Sequence, residues 1–73
     1  MATLKVQITK EEDFIPLKVL LKITDIIPTG GMAKIYLSEN PVKVNGELEN
    51  RRGRKLYPGD LIEVEGKTYE IVK

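Results

Sequence analysis

Leu4, Val6 and Ile8 alternate with Lys5, Gln7 and Thr9, the period of two that turns one face of a strand to a core and the other to water. A first strand is expected there. After the acidic break Glu11 to Asp13, the positions Phe14, Leu17, Leu20, Leu21 and Thr24 recur at three- and four-residue spacing, which gives a helix one buried stripe. Pro16 would sit in its first turn, where a missing N–H costs nothing. Lys18 and Lys22 are four apart and so stack on one outer face of that helix, flanked by Val19 and Ile23.

Ile26 to Gly31 contains Pro28 and a double glycine, so the chain must turn before a second short helix begins. Thr29 is its expected N-cap, with Ala33, Tyr36 and Leu37 facing inward and Lys34 outward. Asn40 and Pro41 end it. Val42 and Val44 alternate with Lys43, and Asn45-Gly46 is the strongest hairpin signal in the chain; Leu48 opens the return strand. Tyr57-Pro58-Gly59-Asp60 suits a type II turn. Leu61 to Val72 is rich in β-formers, breaks at Glu65-Gly66-Lys67, and predicts a terminal hairpin paired with the first strand. These elements make an α+β domain: two short helices packed on a small, mainly antiparallel β-sheet.

Composition narrows the chemistry. At 73 residues the chain holds a single domain, residues 1–73. With no cysteine and no histidine, it lacks thiolate ligands, the commonest general base and the commonest metal ligand. No Walker-type, dinucleotide-binding or nucleophile-elbow motif is present. We therefore expect no enzyme, no metal, no cofactor and no small-molecule substrate. No apolar run is long enough to span a bilayer and Met1 to Lys10 does not read as an export signal, so a cytoplasmic location without a membrane partner is expected.

The net charge of +1 hides an uneven distribution. Residues 1–17 carry −1, residues 56–73 carry −2, and residues 18–55 carry +4 from eight basic and four acidic side chains. All three arginines, Arg51, Arg52 and Arg54, lie within four positions, followed by Lys55. Guanidinium is the group suited to phosphate, because its planar fork donates two parallel hydrogen bonds. Such a cluster is equally compatible with a solvated turn. Gly30 and Gly31 likewise read two ways: they leave the first amides of the second helix open to an anion, or they serve a tight corner.

The ordered series Leu17, Leu21, Thr29, Ala33, Leu37, then Val42-Lys43-Val44-Asn45-Gly46, then Gly59-Asp60 with Ile62 and Val64 resembles the RNA-binding domain named after small-subunit ribosomal protein S-four, the alpha-L motif. The match covers residues 15–66. More narrowly, Gly30-Gly31-Met32-Ala33-Lys34, Val44-Asn45, Asn50 to Tyr57 and Gly59-Asp60 look like the small free-standing bacterial branch of that group, the YaaA type. The resemblance implies that both helices and the first hairpin form one RNA-facing surface, with Lys43 at a commonly basic position and Lys34 at a polar outer position. The chain departs from the wider pattern at Pro16 and Gly30, where arginines are usual, and at Lys18, where an aspartate is usual. Lys18, Lys22 and the stretch Arg51 to Lys55 would supply the missing phosphate ligands.

The expected function is a non-catalytic, monomeric RNA-binding module that reads structured RNA, ribosomal RNA among the candidates, by backbone charge and shape. Its candidate contacts are Lys18, Lys22, Gly30, Gly31, Lys34, Lys43, Arg51, Arg52, Arg54 and Lys55. Phe14, Tyr36 and Tyr69 are assigned to the core, leaving Tyr57 as the aromatic near RNA. Two alternatives stay open: an adaptor for an acidic, ribosome-associated protein, and a ubiquitin-like carrier. Such carriers end in Gly-Gly, whereas this sequence ends Glu70-Ile71-Val72-Lys73.

Overall fold

The computed structural model describes residues 3–73. Strand β1 (Thr3–Gln7) leads through a loop to a two-residue strand β2 (Ile15–Pro16), helix α1 (Leu17–Ile23), a 3-10 turn (Gly30–Met32) and helix α2 (Ala33–Glu39). Strands β3 (Val42–Val44), β4 (Glu47–Glu49), β5 (Lys55–Leu56), β6 (Leu61–Val64) and β7 (Lys67–Val72) follow. The main sheet has the order β1-β7-β6-β3-β4, and β2 pairs with β5 in a separate ribbon. Among the described residues β1 pairs with β7 in parallel and the other pairings are antiparallel. The α+β architecture of two helices on a small, mainly antiparallel sheet is thus present.

Alternation decides which face of the sheet is covered. Val42, Val44, Ile62, Val64, Tyr69 and Ile71 are buried, and they form one core with Leu17, Leu20 and Leu21 of α1 and Ala33 and Leu37 of α2. Val6 and Ile8 join it, while Leu4 remains 44% exposed near the end of its strand. Tyr69 is in the core, Tyr36 only half-buried. Tyr36 donates its hydroxyl proton to Glu65 Oε2 at 2.7 Å. Burial first, and that carboxylate second, hold the phenol protonated far above its usual range. Among the described residues no helix is long and apolar enough to cross a membrane.

The turns follow their sequence signals. Asn45 and Gly46 both adopt positive φ (53° and 85°), the two-residue turn whose twist matches the flanking strands. Gly59 has φ 95° and the Asp60 N–H bonds the Tyr57 carbonyl at 2.9 Å, the type II geometry expected there.

Three local expectations change. Helix α1 begins at Leu17, not at Phe14; Pro16 precedes it with φ −68° and ψ 152°, an extended conformation that lets Ile15 and Pro16 pair with β5. Phe14 is therefore outside the helix and half-buried rather than in the core. Thr29 occupies the cap position of the 3-10 turn but makes no side-chain cap. At the other end of α1, Asp25 takes a left-handed φ of 62°. Its N–H bonds Lys22 O and the Ile26 N–H bonds Leu21 O, both at 3.0 Å. This is a Schellman closure with aspartate where glycine is usual.

Candidate nucleic-acid interface

The first N–H groups of any helix lack intrahelical partners. In α1 they are met from afar: Leu17 N–H donates to Arg54 O at 2.8 Å and Lys18 N–H to Arg52 O at 3.0 Å. The Arg54 N–H closes back on Arg51 O at 3.2 Å, and Lys55 pairs with Pro16 in the β2–β5 ribbon. The arginine segment is consequently a fixed turn docked on the start of α1, which brings Lys18 beside Arg52 at the level of the backbone. Lys22 stands one turn further along the exposed face of α1.

Glu49 organises the cations. The two-residue turn pairs Val42 with Glu49, so Glu49 shares the inward face of the sheet with the core valines and is only 8% exposed. Its Oε2 accepts from the Arg51 N–H at 3.1 Å and from Arg51 Nε at 2.9 Å, and its Oε1 accepts from Arg51 Nη2 at 3.1 Å and Arg54 Nη1 at 2.8 Å. Hydrogen bonding from Arg51, reinforced by Arg54 and opposed by burial, lowers the carboxyl to about 2. The Arg51 side chain is nonetheless 72% exposed and Arg54 32%. Two of the three arginines thus share a carboxylate, which the residue count alone treats as free charge. Among the described residues, Arg52, Lys18, Lys22, Lys34, Lys43 and Lys55 have no carboxylate within ion-pair distance.

Lys55 instead places Nζ 5.0 Å from the centroid of the Phe14 ring, a cation–π contact. Phe14 also lies against Tyr57, centroids 5.7 Å apart at 47°. The Tyr57 loop is tied down by Asp60: Oδ2 accepts the Tyr57 N–H at 2.8 Å and Oδ1 accepts from Asn45 Nδ2 at 3.1 Å, while Asn45 Oδ1 accepts the Leu61 N–H at 2.9 Å. The Asn-Gly and Gly-Asp elements therefore brace one loop against the other.

The ten candidate residues do not share one surface. Lys18, Lys22, Arg51, Arg52, Arg54 and Lys55 gather around the start and outer face of α1. Lys34 is exposed on α2. Lys43 projects from the opposite face of the sheet, registered against Leu48 and Glu63, because Val42 and Val44 on either side of it point to the core. Gly30 and Gly31 form a 3-10 turn with no left-handed φ and ample space for a Cβ, so backbone geometry does not demand glycine there. The site features absent from the sequence reading are Glu49 and Phe14. Glu49 was legible from two signals together: the hairpin register puts it on the face of Val42, and the nearby arginines supply the partners that set it apart from exposed Glu47. Among the described residues no cluster of three or more His, Cys, Asp or Glu could hold a metal.

The docked basic turn at the head of α1 thus lies beside two short helices packed on a small, mainly antiparallel sheet. The S4 domain family profile matches residues 6–72, and the chain belongs to the S4 domain family. It is 54% identical over 59 residues to "Probable ribosome maturation protein RlbA" of Bacillus subtilis, covering 81% of this chain and 83% of that protein. It is 34% identical over 53 residues to "Putative RNA-binding protein YbcJ" of Escherichia coli, covering 73% and 76%. These names do not speak to the narrower YaaA-type likeness.

Proposed function

We propose that the chain is a non-catalytic, single-domain RNA-binding module that grips structured RNA, ribosomal RNA foremost, through backbone phosphates. The observation that carries this reading is the docking of the arginine turn on the start of α1. It fixes the backbone of the turn beside the start of α1, so that Lys18, Lys22, Arg51, Arg52, Arg54 and Lys55 stand together against Glu49 and Asp60, a net of +4. A pre-organised array loses less side-chain and loop entropy on binding than a mobile one. Membership of the S4 domain family and the ribosome-maturation and RNA-binding names of the relatives support the same partner. Recognition by shape and phosphate fits a surface with one exposed aromatic, since base-edge readout uses stacking platforms.

Crosslinking in cells with sequencing of the attached RNA tests this, using the Lys18→Ala/Arg52→Ala variant as control. Enrichment of ribosomal RNA segments that drops in the variant is expected. Crosslinks spread evenly over cellular RNA, or unchanged by the variant, would overturn the assignment.

A further inference from the structure

An open concavity of about 550 Å³ is lined by Arg51, Gly53, Arg54, Lys55, Tyr57 and Asp60, within the size range of about 300–1,000 Å³ typical of small-molecule sites. Phosphate contact alone makes no use of its tyrosine. Tyr57 is 47% exposed, whereas Tyr69 is 5% exposed and Phe14 and Tyr36 are half-buried. The ring is also well braced: Phe14 packs against it and Asp60 holds its backbone N–H. An exposed but held ring beside three cations is the combination that single-stranded nucleic acid exploits, because any base can stack on the ring face while its phosphates meet the charges. Asp60 in the same wall disfavours an isolated phosphate and can accept from a base amino group. An acidic peptide would use the cations and leave the ring idle.

We propose that this concavity takes one unpaired nucleotide of the bound RNA, its base stacked on Tyr57 and its flanking phosphates facing Arg51 and Lys55. The proposal rests on the RNA-binding reading and adds a preference for RNA that presents an unstacked base.

Fluorescence anisotropy with two labelled RNA hairpins, identical except for one bulged adenosine, separates the two claims. The wild-type protein should favour the bulged hairpin by at least about fivefold, the lower end of what one base on an aromatic ring contributes. Tyr57→Leu should erase that preference, and Tyr57→Phe should retain it. Equal wild-type affinity for the two hairpins, or a preference that survives Tyr57→Leu, overturns the nucleotide site and leaves phosphate binding standing. Failure to bind either hairpin, or tighter binding of polyglutamate than of both, overturns both readings. An NMR titration of the wild-type protein with adenosine 5′-monophosphate to millimolar concentration needs no substitution. Shifts centred on Tyr57, Phe14 and Lys55 are expected, and their absence there overturns the site.

Discussion

Replacing Glu49 with Gln removes the charge that holds Arg51 and Arg54 together while keeping the shape of the side chain. Four hydrogen bonds at 2.8 to 3.1 Å converge on that carboxylate. A hydrogen bond to a charged group contributes a net of about 1.5–3 kcal/mol, but Arg51 is 72% exposed and its share is heavily screened by solvent. A glutamine still accepts at one oxygen and turns an amide N–H₂ toward the guanidinium groups. The expected loss is about 1–2 kcal/mol, which lowers the melting temperature of a domain this small by about 5–15 °C. The effect has a pH signature. Folding depresses the Glu49 carboxyl from its ordinary 4.5 to about 2, so its contribution is fully present above pH 4.5 and is lost as pH falls through about 2. Circular-dichroism melts of both proteins at pH 7, 4, 3 and 2 should show a gap that is constant above pH 4.5, narrows below it and is largely closed at pH 2. A Glu49→Gln protein as stable as wild type at pH 7, or a gap that persists undiminished at pH 2, would refute the buried brace.

Four further outcomes follow from the same geometry. Replacing Arg51, Arg52 and Arg54 together by Ala should both weaken RNA binding and destabilise the fold by at least about 1 kcal/mol, since Glu49 is left inward without partners; the Lys18→Ala/Arg52→Ala pair spares that network and should flatten the salt slope by about 1.4–1.8 units with an unchanged melt. Lys43→Ala should leave affinity for structured RNA within a factor of two in anisotropy titrations, because Lys43 faces away from the helices. Leu21→Ala removes a fully buried side chain and should cost about 2–5 kcal/mol in denaturant unfolding, with binding lost only where the protein unfolds.

Much of this fold was legible because short-range chemistry and periodicity agree. Val42 to Glu49 closes through Asn45-Gly46, Tyr57 to Asp60 through Pro58-Gly59, and Leu61 to Val72 through Glu65-Gly66, each from residues adjacent in sequence, and the alternation of Leu4, Val6 and Ile8 marked β1 as the strand that joins the terminal hairpin. The misread parts depend on distant partners. Ile15 and Pro16 extend because β5 is there to pair with them, and Phe14 leaves the helix stripe to meet Tyr57 and Lys55. Asp25 closes α1 in a left-handed conformation that favours glycine, so no residue-type signal marks that stop. The candidate site divides in the same way. The arginine run was visible in the residue order, whereas its docking on α1 rests on carbonyls that carry no side-chain signature. The inward Glu49 needed hairpin register and charge to be considered together.

The most direct test of a phosphate-gripping surface is the salt dependence of affinity for a structured ribosomal RNA fragment. With about four cations displacing counterions, log affinity should fall against log salt with a slope of about −3 to −4 for the wild-type protein. A flat response between low and physiological salt would contradict the account.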